Sequence, residues 1–305
     1  MEAVRHAATA GDPRVEADVE RSYCGYHGWV GQYEESIRYV EQAIEIYAGL
    51  GAEIRQGLVM ASNARCFSAR AGRLQQSFHF AHRARAIADA TGDLQLRSWL
   101  AMEAEPCFYK GLWQRTVDIV EQELPSAWEI GNWSVVLWCS AWATIADIKL
   151  GHHQAARGRI EAALKKAGPR APDFFGQAYS VIALGHVRLA EGDLEAAMEA
   201  AGRACEGAER AGARLEQGAA HRVLAQIHEA RGDQSDAEAE HQKSLDILGA
   251  IQSRPELAQS LLAYGCFKRA DDADEGRRLL GQALEMFEDM DATGWIEETR
   301  ATLEA

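Results

Sequence analysis

Residues 184–204 read LGHVRLAEGDLEAAMEAAGRA: a Leu184-Gly185 pair, a central Gly192, then small residues at Ala197 and Ala204, five and twelve places on. The same glycine-centred turn stands at Gly31, Gly72, Gly111, Gly151 and Gly232, and in degenerate form at Asp271. Taken in order with Gly192, the seven turns are 41, 39, 40, 41, 40 and 39 residues apart. A period held this closely marks a chain of stacked repeats. A second series of turns falls about twenty residues after the first, at Gly11, Gly51, Gly92, Gly131, Ala171, Gly212, Gln252 and Asp291. Each unit therefore contains two segments, A and B.

The segments read as helices. Tyr33, Ile37, Val40, Ile44 and Tyr47 recur with the spacing of one apolar stripe on a 3.6-residue helix, and no sustained alternation argues for strands. Asp12, Asp93, Asn132 and Asp173 stand where an N-cap side chain accepts the free amides of a following helix. Ser253-Arg254-Pro255-Glu256 has the form of a capping box. Gly49, Gly92, Gly131 and Gly212 fall where B helices should end in the left-handed region. The expected A helices span 14–29, 53–70, 94–110, 133–150, 174–191, 214–231 and 254–270. The expected B helices span 32–48, 73–90, 112–129, 152–167, 193–210, 233–249 and 273–290.

Small residues recur five places after each turn (Ser36, Ser77, Thr116, Ala156, Ala197, Ala237, Gly276) and twelve places after (Ala43, Ala84, Ala163, Ala204, Ser244, Ala283), with Glu123 the exception. In this the chain resembles the tetratricopeptide (TPR) repeat over nearly all of its length. That resemblance implies an all-α, right-handed superhelical solenoid of about seven antiparallel helix pairs. The expected organisation is a single domain over residues 1–305, with 1–12 as the remnant of a preceding B helix and 294–305 as a C-terminal capping helix. The unit of about 40 residues and the closing stretch Phe287–Trp295 resemble, more narrowly, two groups of bacterial signalling proteins. These are the MalT-like, LuxR-class ATP-binding regulators and the proteins joining a cyclase and an AAA-type ATPase to helical repeats. That resemblance implies the sensory region of a larger signalling protein, although no phosphate-binding loop or basic helix-turn-helix is present in the sequence.

In TPR arrays the A helices line a concave groove, and the resemblance carries its groove positions onto particular residues. Units one and two contribute Arg21, Asn63 and Arg70; unit three contributes Met102, Glu105, Phe108 and Tyr109. Unit four adds Trp138, Trp142 and Lys149, unit five Tyr179 and His186, and unit six Arg222 and Gln226. The expected groove has an aromatic centre between polar ends, suited to a peptide segment or a small effector. Six of the eight tryptophans lie between Trp99 and Trp142, where Glu123 and Pro125 also break the repeat pattern. Trp138 and Trp142 are neighbours on one helical face; the alternative to a groove role is that they pack between A helices.

Net charge −14 argues against a nucleic-acid partner, and no apolar run is long enough to span a membrane. A cytoplasmic protein with a protein or peptide partner is expected. The six scattered cysteines form no C-x-x-C pair and read as reduced, small hydrophobes. His79 with His82, and His221 with His228, could each share a helical face, but neither pair has a third ligand nearby in sequence, so no metal or other cofactor is expected. No nucleophile elbow or H-E-x-x-H motif occurs, so the chain reads as non-catalytic. The alternative function is a structural scaffold or adaptor that mediates oligomerisation.

Overall fold

The computed structural model describes residues 11–167 and 177–304. Seven antiparallel helix pairs follow one another, with no strand among the described residues. The pairs are α1 (Pro13–Trp29) with α2 (Tyr33–Gly49), α3 (53–70) with α4 (Leu74–Thr91), α5 (94–110) with α6 (Trp113–Ile130), and α7 (Trp133–Lys149) with α8 (His153–Ala167). They continue with α9 (Gln177–Ala190) and α10 (Leu194–Ala211), α11 (Arg214–Arg231) and α12 (Gln234–Ala250), then α13 (Arg254–Lys268) and α14 (Ala273–Asp289). A final helix, α15 (Thr293–Glu304), covers the last pair. The chain is an all-α, TPR-like solenoid. The expected remnant helix at 1–12 and the cap at Asp173 lie largely outside the described residues.

The small positions explain the tight pairing. Ser36 and Ser77 are fully buried and donate to the Cys24 and Arg65 carbonyls of the facing A helices, each at 2.8 Å; Ser244 does the same to the Gly218 carbonyl. A hydroxyl is small enough for close approach, and its own buried O–H is satisfied by the second lone pair of a helical carbonyl. Glu123, the exception, is tolerated because Arg85 of α4 reaches it at 2.6 Å and also holds Glu103 at 3.0 Å. Asp12, Asp93 and Asn132 cap their helices as expected.

Three local expectations are corrected. The left-handed residue after α2 is Gly51, with φ of 63°, because Gly49 still belongs to the helix. Helix α6 does run through Pro125, as its expected span of 112–129 has it. Helices α3 and α5 carry a π turn at Met60–Ala64 and a 3₁₀ turn at Leu100–Glu103. Ser253 and Glu256 form no capping box, because both side chains are used elsewhere. Ser253 reaches the Arg70 carbonyl at 3.5 Å, and Glu256 is buried among distant helices.

Those last contacts reveal the feature that shapes the molecule. The superhelix is wound so tightly that its last units press against units one to three. Gly111 and Gly294 meet backbone to backbone, and a Cβ built on Gly294 would lie 2.2 Å from the Gly111 carbonyl oxygen. Beside them the Trp295 indole donates to the Phe108 carbonyl at 3.2 Å, while Lys110 pairs with Asp291 and Lys149 with Glu298. One buried apolar cluster consequently runs from Ala69 through to Trp295.

Candidate functional site: the inner face

The A helices do face inward, and most of the groove positions are drawn together. Glu105 is held by Arg65 at 2.7 Å and Arg70 at 3.1 Å, all three buried. The Arg70 guanidinium lies 5.3 Å from the Trp29 ring and 5.4 Å from Trp138, cation–π contacts that occupy its remaining faces. Trp138 leads to Trp142 and Trp142 to Tyr179, with ring centroids 6.2 and 5.9 Å apart. Phe108 packs edge-on against Trp295 of the capping helix. Met102 is buried against the Cys139 thiol.

At the centre stands Glu256, from the first turn of α13. Its carboxylate accepts from Tyr179 at 2.7 Å, Tyr109 at 3.1 Å and Arg222 at 2.6 Å, and Arg222 also donates to the Glu256 carbonyl and to Ser260. Burial, then the charge of Glu256, pushes the Tyr109 and Tyr179 phenols well above their usual range, so both remain neutral donors. The chain has therefore filled the middle of its own groove with an acidic side chain. This corrects the expectation of an open aromatic centre: Trp138 and Trp142 are 5% and 1% exposed, and Arg70, Met102, Glu105, Phe108, Tyr109, Tyr179 and Arg222 are likewise buried. The cause is closure of the superhelix over these residues. Arg21 and Asn63 take no part in this network: Arg21 is exposed, and Asn63 is half-buried and accepts from Ser62.

A cavity of about 500 Å³ is left between units three to seven and the capping helix. Phe108, Lys149, His186, Arg222 and Gln226 all line it, so five expected groove residues meet around one space. Ile145, Ile148, Leu189, Leu262 and Trp295 give it an apolar wall, with Glu229, Gln259 and Glu298 as polar groups. Burial, then the charges of Arg222 and Lys149, pushes the His186 pKa down to about 3. His186 therefore presents a neutral imidazole, able to donate from one nitrogen and accept at the other. An apolar wall with a few convergent polar groups is the usual make-up of a ligand site, and this volume lies within the usual range.

Trp295, Glu298, Gln259 and Glu256 were not among the expected site residues. They come from the seventh unit, which stacks directly on unit six, and from the capping helix; both reach units three and four only through closure of the superhelix. No group of three His, Cys, Asp or Glu that could hold a metal ion occurs among the described residues. No described helix is long and apolar enough to cross a membrane.

A chain of paired helices whose A helices enclose a central space defines a TPR-like helical-repeat protein. No family model matches the sequence, and no curated protein matches it. Solved structures do match. One is a Rap protein complexed with competence and sporulation factor, with a TM-score of 0.61 at 13% identity, covering 95% of this chain and 97% of the other. The apo form of RapI matches with a TM-score of 0.56 at 10% identity, covering 99% and 80%. BtubC (BKLC) from P. vanneervenii matches with a TM-score of 0.50 at 18% identity, covering 72% and 92%. At these identities the likeness is one of fold.

Proposed function

We propose that this chain is a non-catalytic recognition module, a single solenoid domain whose inner cavity takes a short peptide segment or a small effector. The observation that carries the reading is the convergence of Phe108, Lys149, His186, Arg222 and Gln226 on one half-apolar space. A peptide suits it: an apolar side chain has Ile145, Ile148, Leu189 and Trp295 to pack against, and a peptide backbone has Gln226, Gln259 and the neutral His186 for hydrogen bonds. The Rap protein complexed with competence and sporulation factor supports the reading, since it shares this architecture over nearly the whole chain. Membership of a larger LuxR-class or cyclase-linked regulator is the narrower form of the proposal. It rests on the 40-residue unit and the closing helix.

Selection of short peptides from a random library tests the reading, with Ala263→Trp as the control. Ala263 lines the cavity and takes no part in the polar network, so a tryptophan there fills the space and leaves Glu256 undisturbed. Peptides captured by the wild type and lost by Ala263→Trp are expected. Failure to select any peptide, or equal capture by both proteins, refutes it.

A further inference from the structure

Away from the inner face, three consecutive helices align a thiol, an imidazole and a carboxylate. Cys205 Sγ of α10 lies 3.5 Å from His221 Nε2 of α11, and His221 Nδ1 lies 2.5 Å from Glu240 Oε2 of α12. The other oxygen of Glu240 accepts from Lys243 at 2.6 Å. The geometry is that of a base oriented by an acid and set against a nucleophile.

The thiol differs from its neighbours in access. Cys24, Cys66, Cys107 and Cys139 are buried, and burial pushes the first three thiols up to about 12 and Cys139 higher still. Cys205 is only partly buried. Gly202 lies three residues earlier, on the same side of α10, and a Cβ there would meet nothing within 4 Å, so the approach is open. Burial alone would push the His221 pKa down, but the hydrogen bonds to Cys205 and Glu240 and their charges outweigh it and raise the value to about 9. Glu240, which burial would raise, is instead lowered to about 2 by His221 and Lys243. The titratable groups around the imidazole are thus Cys205 on α10 and Glu240 and Lys243 on α12.

We propose that Cys205 is a covalent modification site, its thiol set against the His221–Glu240 pair, that takes one oxygen atom from a small peroxide. The sulfur attacks one peroxide oxygen; the S–O bond forms as the O–O bond breaks. Sulfur loses two electrons to become a sulfenic acid, and the peroxide is reduced. The thiol proton passes by way of His221 Nε2 to the departing hydroxide, which leaves as water, while Glu240 keeps its hydrogen bond to the ring. An acyl-transfer role is not supported, because Cys205 lies inside a helix whose amides are already bonded and no oxyanion site is formed. A thiolate stabilised by an adjacent imidazolium is the known basis of selective cysteine oxidation.

The test treats the whole chain with hydrogen peroxide, traps sulfenic acid with dimedone and maps the cysteines by mass spectrometry. Cys266, the other accessible thiol, serves as internal reference. Cys205 should be trapped about tenfold faster than Cys266 near neutral pH, and His221→Gln and Glu240→Gln should each remove most of that advantage. Iodoacetamide labelling gives the second readout: the pH profile of the rate at Cys205 should change in His221→Gln. Circular dichroism checks that both variants keep their helices. Equal trapping at Cys205 and Cys266, or an unchanged rate and pH profile in a folded His221→Gln, overturns the proposal.

Discussion

Glu256→Gln removes one charge at the point where the seventh unit enters the inner face. The native carboxylate accepts three hydrogen bonds, from Arg222 at 2.6 Å, Tyr179 at 2.7 Å and Tyr109 at 3.1 Å, with no access to water. A glutamine keeps the shape and one acceptor oxygen, but it turns an amide towards one of three donors and leaves Arg222 buried without its counter-charge. Breaking a buried pair by removing one partner costs about 3–5 kcal/mol. Arg222 retains its bonds to the Glu256 carbonyl and Ser260, which favours the lower end of that range. Denaturant unfolding measures the loss, and hydrogen exchange over residues 254–262 shows whether it is localised where α13 meets the earlier units. The double variant Arg222→Met, Glu256→Gln should lose less than the sum of the single losses, since the uncompensated charge is gone. A loss below about 1 kcal/mol for Glu256→Gln, or strict additivity in the double variant, would refute the reasoning that this buried pair fixes α13 in the inner face.

Three further outcomes are expected. Gly294→Ala should destabilise by about 1–3 kcal/mol, because the new Cβ has nowhere to go but into the Gly111 carbonyl. Gly281→Ala, inside α14 with open space around it, should stabilise by about 0.5–1 kcal/mol, and thermal unfolding of the two compares them. His186 has a folded pKa lowered to about 3, so the unfolded chain binds its proton first as pH falls; this histidine costs stability from about pH 6.5 down to 3. Between pH 7 and 5 the wild type should lose up to about 2 kcal/mol more than His186→Gln, measured by denaturant titration at each pH, and parallel curves would count against a neutral, cavity-facing imidazole.

The repeat and its helices were legible because their determinants are local. A turn glycine, a small residue at a fixed offset and an apolar stripe each act within one unit, so Gly192, Ala197 and Ala204 suffice to place a helix pair. The inward direction of Arg70, Glu105, Trp138 and Tyr179 was legible only through the TPR resemblance, which implies which face of each A helix lines the groove. What covers them was not, because closure depends on small rotations between units summed over the whole array. Glu256 looked like half of a capping box, and only its contacts with Tyr109, 147 residues earlier, show its use. Cys205, His221 and Glu240 were hidden differently: they sit on three successive helices at spacings that match no sequence motif, and only the stacking of units five and six brings them into line.

The most direct measurement is photo-crosslinking of a selected peptide that carries a benzophenone, followed by mapping of the adducts on the wild-type chain. Adducts on residues 145–149, 186–190, 259–266 and 295–298, all absent in Ala263→Trp, are the predicted result. Adducts confined to the outer B helices, or unaltered by Ala263→Trp, would contradict the assignment of the inner cavity as the recognition site.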